Sequence, residues 1–200
     1  MVPVNILVEG RTDEPVAKRL LIHVGLQVGN VYGRSGKADL LRRLPNYNKA
    51  ARFSPWFVVV DLDGDTRCAS QFVAQWLPDP AKGMQLRVAI QAIESWLMAD
   101  RESLARFLAV SSSRLQHHTE FDLNLKEAIV NIARTSRSKS IREDIVPRQG
   151  SGARVGPLYV ARLTEFAERH WRPDIAADNS ESLRRCIRAL STLTSWDAGP

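Results

Sequence analysis

Short, branched apolar runs alternate with amphipathic segments along the first half of the chain. Val4–Val8, Gln27–Tyr32, Trp56–Val60 and Gln85–Ile90 have the length and composition of strands. The segments between them repeat apolar residues every three or four positions, which indicates helices. The sequence therefore predicts an α/β fold with a mainly parallel sheet flanked by helices.

The strongest strand signal is Trp56–Val60, which is apolar at every position. A strand of this kind is buried on both faces, so we expect it at the centre of the parallel sheet. A helix that carries Leu40, Leu41 and Leu44 precedes it, and we expect that helix to end near Pro45 because proline interrupts helices.

The second half of the chain is predicted to be mostly helical. Leu158–His170 and Leu183–Leu193 are good amphipathic runs. Since 200 residues is an ordinary length for one domain, we expect a single domain over 1–200, with a core over about 1–110 and a helical C-terminal part over about 111–200.

Composition narrows the class of protein. Hydrophobic residues make up 44% and charged residues 25%, as in ordinary globular proteins rather than disordered ones. No apolar run reaches the roughly 20 residues that a membrane-spanning helix needs, and no leader pattern begins the chain. Cys68 and Cys186 are far apart, which argues against a disulfide framework and a thiolate zinc site. We therefore expect a cytoplasmic protein with no membrane contact.

Basic residues outnumber acidic ones, 28 to 22, and they concentrate in the second half of the chain. A positive balance permits a polyanionic partner such as DNA or RNA. The segment 134–154 is interpreted as a mobile basic loop that tracks nucleic acid, the alternative being a solvated helix face and linker. The residues predicted to contact nucleic acid are Lys37, Arg137, Lys139, Arg142 and Arg154.

Carboxylates follow two of the predicted strands. Glu9 comes after the first strand, and Asp61, Asp63 and Asp65 come after the central one. Ligands of parallel sheets bind beyond the carboxyl ends of the strands, so Glu9, Asp61 and Asp63 are expected to converge on one cation. Hard oxygen ligands favour Mg²⁺ or Mn²⁺. The alternative is that Asp-x-Asp-Gly-Asp is an ordinary turn.

These motifs carry a resemblance. Val-Glu-Gly-x-Thr-Asp at 8–13 and Val-Val-Asp-x-Asp at 59–63 resemble a Toprim domain. Residues 89–100, Ala-Ile-Gln-Ala-Ile-Glu-Ser-Trp-Leu-Met-Ala-Asp, are similar to a small bacterial Toprim-like family that resembles the nuclease part of overcoming-lysogenization-defect proteins. Gly156-Pro157-Leu158-Tyr159 and Asn179-Ser180-Glu181-Ser182-Leu183 also resemble that family.

The resemblance implies a Mg²⁺-dependent nuclease or related phosphotransferase. By residue, it implies Glu9 as a metal ligand or general acid/base, Asp61 and Asp63 as metal ligands, and Glu94 as a later catalytic carboxylate. Asp65 and Asp13 are expected as outer members of the metal site. Arg148, with Arg154, lies where related nucleases carry a basic residue that stabilises phosphate charge. An ATPase partner and a role in defence against phage are part of the same expectation.

Two other hypotheses remain open from the sequence. The chain is either such a nuclease or a non-catalytic subunit that binds nucleic acid or a partner protein. An RNA-processing Toprim enzyme is the third interpretation. A panel of DNA and RNA substrates separates it from the first.

Overall fold

The computed structural model describes residues 2–63, 68–115, 122 and 124–196 of the chain. These fall into two compact units. The first contains the described residues up to Ile93 together with those from Glu181 onward, and the second contains those between Glu94 and Ser180. The single-domain organisation expected from chain length stays a prediction.

A parallel sheet lies at the centre of the first unit. Its strands are β1 Val4–Val8, β2 Val28–Gly33, β3 Trp56–Asp61 and β4 Met84–Ala89. They are hydrogen-bonded in the order β2-β1-β3-β4, and every pair is parallel. The predicted α/β class and mainly parallel sheet are confirmed, and each strand lies within one residue of its predicted bounds.

The helices of the first unit connect and cover these strands, and further helices form the second unit. In chain order they are α1 Asp13–His23, α2 Lys37–Ala50, α3 Ala69–Trp76, α4 Glu94–Ala99, α5 Arg101–Phe107, α6 Leu125–Arg134, α7 Lys139–Ile145, α8 Tyr159–Arg169, α9 Pro173–Asp178 and α10 Glu181–Ser191. The amphipathic runs predicted at Leu158–His170 and Leu183–Leu193 correspond to α8 and α10.

Side-chain alternation along the strands divides the sheet into two faces. Leu7, Val58 and Val88 point to one face and share a core cluster with residues of α2 and α3. On the other face α1 contacts β1 and β3, and α10 contacts β4. Because both faces are covered, all of β3 is buried, as its uninterrupted apolar sequence predicted.

The predicted end of α2 near Pro45 is wrong, because the helix continues to Ala50. Pro45 lacks the N–H that would bond to the carbonyl of Leu41, and an interior proline costs a helix about 3 kcal/mol. Packing of the residues that follow Pro45 offsets this loss of stability. The Tyr47 ring lies 4.8 Å from the Trp56 ring, and Ala51 is fully buried in the same cluster.

The chain reverses its direction of travel across the sheet between β1 and β3. From β1 it moves to β2 on one side, and from β3 it moves to β4 on the other. In open parallel sheets, a reversal of this kind places a crevice at the carboxyl ends of the two strands between which it occurs, and ligands bind there.

The second unit is helical and is organised around two tryptophans. Trp96 and Trp171 are fully buried, and the Trp171 indole N–H donates to the Trp96 carbonyl at 3.1 Å. Asp100 is also fully buried, and it accepts from the Arg172 guanidinium at 2.6 and 3.0 Å and from the Ser103 N–H at the start of α5. Asp100 is therefore held as a helix cap and ion-pair partner.

No helix in the described part of the chain combines the length and the apolar content needed to cross a bilayer.

Gly33→Ala is expected to destabilise the protein more than Gly25→Ala. Both glycines have positive φ, +93° and +78°, which costs an alanine about 1–2 kcal/mol. A Cβ at Gly33 would also lie 2.1 Å from the Val8 carbonyl oxygen, whereas one at Gly25 meets nothing within 4 Å. Urea unfolding of the two variants measures the difference, and equal losses would contradict the close approach of β2 to β1.

Candidate functional site

Two carboxylates meet at the crevice between β1 and β3. Glu9 directly follows β1, and Asp61 is the last residue of β3. The register pairs Val8 with Val59, so the two strand ends lie side by side. The backbone N–H of Asp61 donates a hydrogen bond to the Glu9 carboxylate, which joins these ends directly.

The Glu9 carboxylate is partly buried and lies near other negative charges. Its Oε2 atom is inaccessible to solvent and has no hydrogen-bond partner among the described residues. Burial raises the pKa of Glu9, and the negative charges of Asp63 and Asp13 raise it further. The positive charge of Lys37 and the Asp61 N–H act in the opposite direction without cancelling the effect. Glu9 therefore holds a proton more tightly than an ordinary glutamate.

Lys37 brings a positive charge into this group of carboxylates. It is the first residue of α2, and its Nζ donates to Asp63 Oδ2 at 3.0 Å and to the Leu62 carbonyl at 3.4 Å. Only 16% of its side chain is exposed, and its ammonium lies 5.9 Å from the Phe72 ring centroid. Asp63 is half-exposed and has a positive φ of +52°, a conformation that aspartate tolerates in turns.

Asp61 and Asp13 also hold the surrounding backbone. Asp61 is 8% exposed, and its Oδ1 accepts from the Ile93 N–H at 2.8 Å. Asp13, 6% exposed, accepts from the Gly10 N–H at 2.7 Å and so closes the turn after β1. Both carboxylates position loops at the crevice as well as adding negative charge to it.

The donor chemistry fits Mg²⁺ held through few protein ligands. Within the described ranges no three His, Cys, Asp or Glu side chains come together as a ready metal cage, and Asp65 lies outside those ranges. Mg²⁺ characteristically keeps several waters and binds through one or two carboxylates. Glu9 has a buried oxygen that needs a positive partner, and Asp63 is half-exposed beside it. These two residues are the ones that would hold the ion.

Glu94 belongs to the second unit, where it begins α4 and is fully buried. The Tyr159 hydroxyl donates to Glu94 Oε1 at 3.4 Å, and Lys126 Nζ lies 3.9 Å from the same atom. Burial and the negative charge of Glu94 raise the pKa of Tyr159. Within its unit, the buried carboxylate of Glu94 is thus approached by the buried hydroxyl of Tyr159 and by the ammonium of the exposed Lys126.

The interpretation of residues 134–154 as a basic loop is wrong for its middle part, which forms α7. Ser138 caps this helix by accepting from the Ile141 N–H at 3.4 Å, and Ile141 and Ile145 are buried four residues apart. Two buried apolar residues at helical spacing thus anchor a segment that composition alone made look like a loop.

The predicted basic residues take different positions in the second unit. Arg142 and Arg148 line one cleft together with Arg134. Lys139 pairs with Glu143 at 3.6 Å, and Arg137 and Arg154 are exposed outside that cleft's lining. All of these belong to the second unit, whereas Glu9, Asp61, Asp63 and Lys37 belong to the first.

Comparison of the chain with protein-family models, with curated proteins and with solved structures found no match.

Some contacts of these residues had no signal in the sequence. Lys37 was expected to contact phosphate, and its ion pair with Asp63 spans 26 positions that only the folded sheet brings together. Lys126 and Tyr159 approach Glu94 from α6 and α8. The only local hint was that Tyr159 follows the Gly-Pro-Leu motif.

Glu9→Gln is expected to gain stability relative to the wild type as pH rises. The pKa of Glu9 is raised above 4.5 in the folded state. The favourable contribution of the Glu9 carboxyl to the free energy of unfolding is therefore complete below about pH 4.5 and is lost as pH rises through the folded pKa. Glutamine is neutral throughout and escapes this loss. Urea unfolding in EDTA at pH 4, 5, 6 and 7 measures the difference.

Asp39→Asn is the matched control for that experiment. Arg42 and Arg43 lower the pKa of Asp39, so its contribution is present at neutral pH and lost as pH falls. The Asp39→Asn variant is therefore expected to show the opposite trend, because its free energy of unfolding falls furthest below that of the wild type at pH 7. Parallel pH curves for wild type and Glu9→Gln would contradict the assignment.

Proposed function

We propose that the protein is a Mg²⁺-dependent nuclease that hydrolyses phosphodiester bonds at the crevice between β1 and β3. The observation that carries the proposal is the Oε2 atom of Glu9, which is buried without a hydrogen-bond partner among the described residues and lies beside other carboxylates at the ends of adjacent parallel strands. Mn²⁺ is expected to substitute for Mg²⁺, since both prefer oxygen ligands. The resemblance of the two acidic motifs to a Toprim domain supports the same reaction class.

The chemistry requires charge control at the phosphate. The oxygen of a water molecule forms a bond to phosphorus, the bond from phosphorus to one ester oxygen breaks, and the departing oxygen takes up a proton. Bound Mg²⁺ would supply positive charge to the phosphate oxygens. Glu9 and Asp63 would hold it.

The chain's own residues have separable roles in this proposal. Glu9, whose buried Oε2 has no hydrogen-bond partner among the described residues, would gain a positive partner when the ion binds. Lys37 donates to Asp63 and supplies a fixed positive charge beside the phosphate. Asp61 keeps Glu9 in place through its backbone N–H and holds the following loop through Ile93.

A non-catalytic binding subunit is the second candidate. The observation that favours it is the Lys37–Asp63 ion pair at 3.0 Å, because a lysine ammonium already supplies a cation beside these carboxylates. This candidate predicts binding of nucleic acid or of a partner without divalent metal and without turnover. An RNA-processing activity is a variant of the first candidate and differs only in substrate.

Other parts of the proposal rest on the resemblance alone. They are a late catalytic role for Glu94 and Arg148, cooperation with an ATPase partner and action in phage defence. A cytoplasmic location is proposed from the composition and from the lack of a long apolar run.

Wild-type protein is expected to cleave at least one substrate in a panel of supercoiled, linear and single-stranded DNA and structured RNA, with Mg²⁺ or Mn²⁺ and not with EDTA. A Glu9→Gln, Asp63→Asn double variant removes both metal-holding charges while keeping side-chain size. Loss of one such ligand contact typically costs several kcal/mol of transition-state stabilisation, so we expect cleavage to fall by about 100-fold or more. Gel electrophoresis measures the rates.

Asp39→Asn again serves as the control, because Asp39 pairs with Arg42 and Arg43 on the exposed side of α2. It should cleave like the wild type. Asp61→Ala is avoided as the main test, since it would also release the Ile93 backbone. Full cleavage by the double variant would overturn the proposal. No cleavage by any protein, together with metal-independent binding, would favour the non-catalytic candidate.

A further inference from the structure

A broad cleft of about 970 Å³ opens in the second unit, among the end of α6, helix α7 and the loops that follow it. Its volume reaches the upper end of the range for small-molecule sites, about 300–1,000 Å³. The residues that line it are Arg134, Arg142, Glu143, Asp144, Val146, Pro147, Arg148, Pro157 and Leu158. None of the residues at the crevice between β1 and β3 lines this cleft.

The cleft has an excess of positive charge that its own acidic residues do not cancel. Asp144 is engaged by Arg162, which donates to its Oδ2 at 2.7 and 2.8 Å and also pairs with Glu165. Glu143 pairs with Lys139 at 3.6 Å. Both acidic side chains are thus committed to basic residues that do not line the cleft.

The three arginines, by contrast, form no ion pair with any residue in the described part of the chain. Arg142 donates to the backbone carbonyl of Ser136, which fixes its guanidinium without neutralising it. Arg134 and Arg148 are exposed. Guanidinium groups are planar, permanently charged and suited to two-point contact with phosphate oxygens, so three of them around one cleft form an anion-binding surface.

The remaining lining residues indicate how an anion would be recognised. Val146, Pro147, Pro157 and Leu158 are apolar, and the lining includes no aromatic side chain on which a base could stack. The cleft is therefore suited to contact with the phosphate backbone, and its lining offers no stacking platform for bases.

We propose that this cleft binds the phosphodiester backbone of nucleic acid through Arg134, Arg142 and Arg148. The inference goes beyond the proposed hydrolysis, because every residue that carries it belongs to the second unit and none is a carboxylate of the β1–β3 crevice. Binding at the cleft is independent of divalent metal.

Fluorescence anisotropy tests this with the full chain in EDTA, using labelled 20-base-pair duplex DNA, single-stranded DNA and single-stranded RNA. Wild type is expected to bind at least one of them. The Arg134→Gln, Arg148→Gln double variant is expected to bind that probe about tenfold or more weakly at 50 mM KCl. Its slope of log affinity against log salt should fall by about 2, since each phosphate contact contributes roughly 0.9.

The matched control is Arg106→Gln, Arg169→Gln. These arginines are exposed in the same unit and do not line the cleft, and the substitution removes the same amount of net charge. Its affinity and salt slope should stay close to wild type. Equal weakening by both double variants would mean that only net charge matters, and it would overturn the assignment, as would failure of wild type to bind any of the three probes.

Two further measurements test a different ligand and the stability of the variant. A labelled 20-residue polyglutamate peptide that bound more tightly than nucleic acid, and lost affinity in Arg134→Gln, Arg148→Gln, would replace the proposal with an acidic-protein site. Thermal unfolding measures whether the Arg134→Gln, Arg148→Gln variant is stably folded. If that variant is unstable, the single variant Arg148→Gln takes its place, because Arg148 lies in an exposed loop. The assay is run in EDTA, so absent cleavage does not affect this test.

Discussion

Parallel pairing of β1 with β3 is the constraint from which the candidate site follows. Since the chain crosses from β1 to β2 in one direction and from β2 to β3 in the opposite direction, α1 and α2 pack on opposite faces. Their N-termini then flank the same crevice, with Asp13 beginning α1 and Lys37 beginning α2. Any side chain that follows β1 or β3 is thereby placed among strand ends and helix starts.

This placement concentrates negative charge where water is partly excluded. At the crevice, Asp61 accepts from the Ile93 N–H and Asp13 from the Gly10 N–H. Glu9 Oε2, by contrast, is buried with no hydrogen-bond partner among the described residues, and burial raises the pKa of Glu9. Perturbed titratable groups of this kind concentrate at functional sites, because a fold that only needed stability would gain by removing them.

Sequence periodicity was sufficient for the strands of the sheet, because β1 and β3 are short and largely apolar runs. The Trp56–Val60 run is apolar throughout and became the fully buried centre. Prediction failed where packing overrode local propensity: α2 passes through Pro45 because Tyr47 and Ala51 are anchored beyond it, and α7 forms in a basic segment because Ile141 and Ile145 are buried. The positions of Glu9 and Asp61 at strand ends were readable from the sequence, whereas the Lys37–Asp63 contact required the connection between β2 and β3 to be folded.

The hydrogen bond from Ile93 to Asp61 has a thermodynamic consequence. Ile93 is the last residue of the first unit before the chain enters the second, and its N–H is held by the same carboxylate that ends β3. A ligand that drew on Asp61 Oδ1 would compete with that N–H for one oxygen. A ligand that broke the Asp61–Ile93 hydrogen bond would be linked to the conformation of the exit segment, and by reciprocity an event that displaced Ile93 would alter the affinity for that ligand by the same factor.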